Sequence, residues 1–262
     1  MSDAPFVQRT QLGELVTLTL NRGDRYNPLS LAMMAALESE LDALAADAGA
    51  RVVVLAAAGK GFCAGHDLRE VRSHARDHAW QRDLFVACGR MMGKLTRLPQ
   101  PVIARVHGVA TAAGCQLVSM CDLAVASTEA TFALPGVNVG LFCSTPAVGV
   151  VRAIGRKRTM ELLLTGEPID AARALEWGLL NRVVPPAELD AEVARLAACI
   201  LAKSGAVVGP GKRAFYEQVE LDLDEAHARM ADAMASNMML ADAEEGIDAF
   251  LGKRRPAWAG KH

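Results

Sequence analysis

Two glycine-bearing segments constrain this chain more than anything else in it. They are Gly61-Phe62-Cys63-Ala64-Gly65-His66-Asp67 and His107-Gly108-Val109-Ala110-Thr111-Ala112-Ala113-Gly114-Cys115-Gln116. Each follows an apolar run, Val52-Val53-Val54-Leu55 in one case and Val102-Ile103-Ala104-Arg105-Val106 in the other. A run without polar alternation reads as a strand covered on both faces, as in a parallel sheet. Each segment then leads into a helical pattern. Strand, small-residue loop and helix, repeated, is the signature of an α/β fold. Small residues in such loops leave backbone N–H groups uncovered. Two of them aimed at one point hold a negatively charged oxygen.

The remaining chain fits around this frame. Phe6 to Thr10 and Glu14 to Leu20 read as a hairpin about Leu12-Gly13, with Val16, Leu18 and Leu20 alternating with threonines. Ser30 is a candidate N-cap for a helix carrying Leu31, Met34, Leu37, Leu41 and Leu44. A long helix is expected over Ala79 to Leu98, stopping before Pro99 and Pro101. A short buried helix is expected over Ala112 to Met120, and strands over Asp122 to Ala126 and Thr131 to Leu134. Beyond about residue 145 the strand signal fades. Helices are expected over Pro146 to Ile154, Arg158 to Leu164, Ala171 to Trp177, Ala187 to Lys203, Lys212 to Glu220, Asp224 to Leu240 and Glu244 to Leu251. Gly209-Pro210-Gly211 reads as an interruption before the helix at Lys212. Met230, Met234, Met238 and Met239 load the last long helix with apolar surface, which suggests subunit contacts.

With 262 residues, 52% of them apolar, the chain can bury a substantial core. A net charge of −2 argues against general attraction to nucleic acid. No stretch approaches eighteen apolar residues, so no membrane span is expected. Met1-Ser2-Asp3-Ala4-Pro5 has neither the basic start nor the apolar run of a leader. Cys63, Cys88, Cys115, Cys121, Cys143 and Cys199 make no Cys-x-x-Cys pair and read as buried reduced thiols. On these negatives a cytoplasmic protein is expected.

Further runs occur in a fixed order: Leu20-Asn21-Arg22, Asn27-Pro28-Leu29, the two glycine segments, Leu164-Thr165-Gly166-Glu167-Pro168-Ile169, Gly178-Leu179-Leu180-Asn181-Arg182-Val183-Val184 and Gly246-Ile247-Asp248-Ala249-Phe250-Leu251-Gly252-Lys253-Arg254. That ordered set resembles the crotonase superfamily, also called the enoyl-CoA hydratase/isomerase family, over nearly the whole chain. Thr111 to Leu117 together with Pro135 to Pro146 narrow the resemblance to one branch of it.

The resemblance implies an α/β chain with a crotonase-like ββα spiral over residues 1–203. It implies a C-terminal helical oligomerisation region over 204–262, building a homotrimer or a dimer of trimers. It implies an acyl-CoA thioester whose oxygen is bound by the backbone N–H groups of His66 and Ala113. CoA is expected to run past Arg25 and Tyr26 and along Ala64, His66, Asp67, Leu68 and Arg69. Asn138 and Cys143 are expected beside the acyl group. Phe250 and Lys253 are expected to reach CoA, often from a neighbouring subunit. No metal is implied, and no cofactor apart from the coenzyme A carried by the substrate.

The pattern departs from the hydratases at two places. Their paired glutamates fall at Gln116 and Gly136, neither of which exchanges a proton near neutral pH. One such group is typically worth about 10²–10⁴-fold in rate. Open sources of protons are His66, Asp67, a bound water and the substrate itself. Cys143 is a candidate nucleophile on a thioester, against the plainer reading of a buried thiol. Ser144 or Thr145 is expected to cap a helix with Pro146 at its first position. His107 is expected to pack and hydrogen-bond at a strand end. His74 and His78 are four apart, as metal ligands on a helix face can be, but read as a solvated face. Arg254 and Arg255 read as a phosphate contact or a solvated tail. Ala112 and Ala113 stand where family members often carry glycine, and a positive φ at either would strain alanine. The reading is therefore a nominal enoyl-CoA hydratase of fatty-acid metabolism with its acids missing. The alternatives are an isomerase, a decarboxylase with a substrate carboxylate or branched acyl group near Gly136, a thioester hydrolase, or a weakly catalytic acyl-CoA binder.

Overall fold

A computed structural model describes residues 4–259. Met1 to Asp3, where the absence of a leader was read, lie outside the described residues.

The hairpin forms from β1 (Val7–Leu12) and β2 (Leu15–Leu20), paired antiparallel, with Gly13 at φ +60° in the turn. Helix α1 (Leu31–Ala45) starts where Ser30 Oγ accepts a hydrogen bond from Met33 N at 3.2 Å. Its buried residues are Met33, Met34, Leu37, Leu41 and Leu44, so the helical spacing read from the sequence is the core-facing stripe. Strand β3 (Val52–Ala57) follows, then α2 (Leu68–Ser73), α3 (His78–Arg97) and β4 (Val102–Val106). The next stretch alternates quickly: β5 (Ala110–Thr111), α4 (Ala113–Ser119), β6 (Leu123–Ser127) and β7 (Thr131–Ala133). A 3₁₀ turn at Pro135–Val139 leads to α5 (Ser144–Ile154) and α6 (Arg156–Thr165). Then come β8 (Ile169–Asp170), α7 (Ala171–Trp177), β9 (Arg182–Val184), α8 (Leu189–Leu201), α9 (Gly205–Gln218), α10 (Leu223–Met238) and α11 (Ala241–Leu251).

The main sheet has six strands in the order β1-β2-β3-β4-β6-β9, and every pair after the hairpin is parallel. A smaller sheet runs β5-β7-β8. Every residue of β3 is buried. Val53, Leu55 and Ala57 face the main core with α1 and α3, while Val52, Val54 and Ala56 face α8 through Leu189, Val193 and Ala197. Burial on both faces is why that strand shows no polar alternation.

Four expectations need correction. Strands persist beyond residue 145: β9 closes one edge of the main sheet and β8 one edge of the small one. At two and three residues they are too short to display a period. Gly209-Pro210-Gly211 lies inside α9 rather than before it. Gly209 lies against Pro99 and Lys212 bonds the core, and these contacts carry the helix past a proline that costs about 3 kcal/mol in isolation. Ser144 does not cap α5: the helix begins at Ser144 itself, without a side-chain cap, and Ser144 Oγ turns back to Phe142 O. Of the six free cysteines, Cys199 is exposed because it sits on the outer side of α8.

The C-terminal helices are tied to the spiral. Arg51 donates to the carbonyls of Leu201, at 3.1 Å, and Lys203. Lys212 Nζ, on α9, bonds Leu95 O, Gln100 O and Asp122 Oδ2 at 2.9, 3.0 and 2.6 Å. No helix among the described residues is long and apolar enough to cross a membrane.

Candidate active site

The two glycine segments meet edge to edge. Phe62 N and Cys63 N both donate to Val109 O, at 2.9 and 3.0 Å, and Thr111 N donates to Cys63 O at 2.9 Å. Thr111 Oγ1 closes the seam on Ala64 O at 3.2 Å. Gly114 permits this approach: a Cβ there would lie 2.1 Å from Cys63 O. Gly65, at φ +91°, completes it, since a Cβ there would lie 3.3 Å from Ala113 N and 3.1 Å from Thr111 O.

Gly65, the neighbour of His66, is thereby brought against Ala113 N, and the amides of His66 and Ala113 both border this seam. Neither has an acceptor among the described residues. Ala113 is fully buried and opens α4, so its N–H is one of the donors a helix start leaves unused. Ala112, just before it, sits at φ 51° and ψ −120°, a conformation suited to glycine. Its own amide is held by Ala133 O at 2.9 Å. A non-glycine residue in such a region costs about 1–3 kcal/mol. We expect Ala112→Gly to stabilise the protein by about 1 kcal/mol, the strain relieved less the entropy glycine restores to the unfolded chain. Urea unfolding checks this, and a less stable variant would contradict the strain.

The loop bearing Arg25 and Tyr26 packs on the same seam. Ala64 N donates to Tyr26 O at 2.9 Å, and a Cβ on Gly61 would lie 2.5 Å from the Tyr26 ring. Arg25 remains solvent-facing, 3.8 Å from Asp24. Asn27 holds the arrangement, and its role was not read from the sequence. It is wholly buried, and its Nδ2 donates to Ala58 O, Gly61 O and Phe62 O at 2.9–3.1 Å while its Oδ1 accepts from Arg22 N at 2.8 Å. The only early signal was its place in Asn27-Pro28-Leu29.

Beyond the seam, Asp67 spends Oδ1 on the start of α2, accepting from Arg69 N at 2.9 Å and Glu70 N at 3.4 Å. It is a cap. Leu68 and Arg69 are exposed on that helix. The His66 ring packs edge-on against Phe85 at 5.4 Å, with Nδ1 3.2 Å from Leu29 O and Nε2 buried without a partner among the described residues. Burial pulls its pKa below the ordinary 6.5, and the Leu29 bond opposes this only in part. His107 is lowered for the same reason, with its Nε2 2.9 Å from Gly59 O. The unfolded chain therefore binds more protons as pH falls through about 6.5, so the stability that buried neutral imidazoles provide is full above that pH and lost below it. We expect unfolding free energy to fall between pH 8 and pH 5, and His66→Gln to flatten part of that slope. An unaltered slope in the variant would place the ring in solvent.

The two acid positions differ in kind. Gln116 lies on α4, nearly buried, its Oε1 without a donor among the described residues. Gly136 lies in the 3₁₀ turn with Cys143 against it. A Cβ at 136 would lie 2.9 Å from Cys143 Sγ, so the thiol borders the position where a side chain would begin. Burial pushes the Cys143 thiol up, which disfavours the thiolate a nucleophile needs. Asn138, expected beside the acyl group, turns instead to the end of α6, where its amide nitrogen approaches Gly166 O at 3.5 Å. Phe250 lies in the last turn of α11 and Lys253 just beyond its end, and both are exposed. Arg254 pairs with Glu245 rather than standing free for a phosphate. His74 caps the end of α2 and His78 opens α3, so the two do not share a helix face, and His74 stacks on Trp80 at 3.8 Å.

Comparison with known proteins supplies the frame for this geometry. Residues 11–261 match the family model described as enoyl-CoA hydratase/isomerase. The human mitochondrial enoyl-CoA hydratase domain-containing protein 3 is 46% identical over 250 residues, spanning 95% of this chain and 82% of its own. The rat protein of the same name is 46% identical over 242 residues, 92% of this chain and 80% of its own. This is the branch to which Thr111 to Leu117 and Pro135 to Pro146 pointed. The crystal structure of the human protein superposes with a TM-score of 0.92 over 97% of this chain and 100% of that one. An enoyl-CoA hydratase from Mycobacterium smegmatis superposes at 0.95, with 52% identity over 97% of this chain and 99% of that one. The expectation of a cytoplasmic protein is overturned: the rat and human relatives are both described as mitochondrial.

Proposed function

The chain belongs to the enoyl-CoA hydratase/isomerase family, and on that premise we propose that it binds an acyl-CoA and polarises the thioester carbonyl with the amides of His66 and Ala113. The observation that carries this reading is the junction of the two segments, which leaves both amides without acceptors among the described residues. CoA lies along Arg25, Tyr26, Ala64, His66, Asp67, Leu68 and Arg69. It enters as part of the substrate, and no other cofactor takes part. The carbonyl oxygen gains charge as an enolate forms, and each donor aimed at it is worth about 2.7–4 kcal/mol of barrier.

Nominally the enzyme is an enoyl-CoA hydratase. Hydration by paired carboxylates has no groups here to perform it, because Gln116 and Gly136 hold their places. Asp67 is engaged as a cap, which leaves the His66 ring, a water or the substrate to move the proton. With both acids missing, crotonyl-CoA hydration is expected roughly 10⁴-fold or more below that of a two-glutamate enzyme. Calorimetry with butyryl-CoA and the loss of crotonyl-CoA absorbance test the two halves of the reading. Rapid turnover of crotonyl-CoA would sink the account of the missing acids, and no affinity for any CoA ester would sink the site. Among the alternatives, isomerisation and a weakly catalytic binder fit the closed wall at Gly136 better than a decarboxylase that needs room there.

Residues 204–262 carry the subunit contacts, in a homotrimer or dimer of trimers. Met239 and Phe250 are 82% and 83% exposed in the single chain, and Leu223, Met234, Met238 and Leu251 join them. A surface this apolar on α10 and α11 calls for a covering partner. Phe250 and Lys253 then reach CoA from the neighbouring subunit. Light scattering that gives the mass of one chain would contradict this.

A further inference from the structure

A Cβ built on Gly136 would lie 2.9 Å from Cys143 Sγ, 2.9 Å from Leu141 O and 3.3 Å from Cys143 N. Contacts below 3.0 Å force something to move. The turn is closed by Leu141 N donating to Gly136 O at 2.9 Å. The Cys143 thiol thus stands where a side chain at 136 would begin. It is 8% exposed and sits at the start of α5, which packs along α4, the helix of Ala113 and Gln116. Gln116, 4% exposed, keeps a buried amide oxygen without a donor among the described residues. Buried acceptors are almost always satisfied, so this one is open to a donor brought by a ligand.

Resting on the acyl-CoA reading above, we propose that Gly136 and Cys143 are a compensating pair, in which the thiol walls the acyl pocket on the side where a residue at 136 would act. Cys143 is then a specificity-determining residue that meets the acyl group and not the CoA moiety. It makes no covalent bond to substrate. A Cβ at position 136 meets both the Cys143 thiol and the backbone at Leu141 O, each at 2.9 Å, so cutting back Cys143 relieves one of the two contacts and the Leu141 carbonyl must shift as well.

The test is thiol labelling by N-ethylmaleimide, read by mass spectrometry on full-length Cys199→Ser protein. That change removes the exposed thiol; Cys143 is buried like Cys63, Cys88, Cys115 and Cys121, and its labelling rate is read from its own peptide. With butyryl-CoA at about ten times its dissociation constant, Cys143 labelling should slow about tenfold, and free CoA at equal saturation should leave it unchanged. Unslowed labelling while calorimetry records butyryl-CoA bound would overturn the pair alone. No binding in calorimetry would overturn the acyl-CoA reading and the pair with it. A second measurement compares crotonyl-CoA hydration in Gln116→Glu/Gly136→Glu with the same protein carrying Cys143→Ala. The added change should raise the rate about 10²-fold. Equal rates in two folded variants would contradict the pair. If Gly136→Glu prevents folding and Cys143→Ala restores it, the steric pairing is supported directly; if neither variant folds, the labelling result decides.

Discussion

Gly114→Ala should both destabilise the protein and abolish acyl-CoA binding. The added methyl would sit 2.1 Å from Cys63 O and 2.8 Å from Cys63 C, far inside van der Waals contact with the backbone of the facing segment. No flexible side chain is available to give way. Either α4 moves off the loop or the loop moves off α4. Over-packing a tight core costs about 1–3 kcal/mol when side chains adjust, and about 3 kcal/mol or more is expected here because only backbone can adjust. The same displacement separates the Ala113 amide from the His66 amide. Calorimetry with butyryl-CoA on the folded fraction should find affinity lost, and urea unfolding should find the lower stability. Undiminished affinity in this variant would mean that the seam does not set the site.

Lys212→Met should be the most damaging substitution far from the pocket. Lys212 and Asp122 pair with side-chain exposures of only 7% and 15%. Asp122 also accepts from Val102 N at 2.7 Å, and Lys212 satisfies two further carbonyls. Burial pulls the Lys212 pKa down while Asp122 resists that pull, and burial with the neighbouring carboxylate drives the Tyr216 hydroxyl up. Methionine keeps the length and removes the charge, leaving a carboxylate uncompensated in a dry place. Breaking a buried pair in this way costs about 3–5 kcal/mol. A midpoint drop of roughly 6–20 °C should follow for a chain of this size, at about 2–4 °C per kcal/mol. Adding Asp122→Asn should recover part of the loss. A cost below about 1 kcal/mol would show that the helices beyond residue 203 are held to the spiral by other contacts.

The legible and illegible parts of this molecule divide along a physical line. Local chemistry could be read. The unbroken apolar run of β3 announced burial on two faces, and Ser30 announced the start of α1. The small residues of both segments announced uncovered backbone N–H groups near a helix start, but not the close approach of Gly114 to Cys63 O. What escaped depends on residues distant in sequence. Lys212 looks like any surface lysine until the end of α3, the loop before β4 and the residue before β6 place three oxygens around it. Asn27 gives no sign that it will bond three carbonyls from 58 to 62. Gly136 looked like vacant space because a glycine in a sequence carries no record of what fills its missing side chain. A 3₁₀ turn folds Cys143 back onto it, and the turn's geometry decides that. Asn138 was expected beside the acyl group on the family resemblance, which carries no sign that its amide nitrogen would approach Gly166 O, at the left-handed end of α6.

The claim beneath all of this is that two main-chain donors grip a thioester oxygen, and vibrational spectroscopy addresses it directly. Butyryl-CoA carrying ¹³C at its carbonyl gives a stretching band resolvable from the protein by isotope difference. Bound to this protein, the band should move to lower frequency than in water, since two fixed amides polarise the carbonyl more than mobile solvent does. A bound ligand whose carbonyl band stays at or above its position in water would contradict the account.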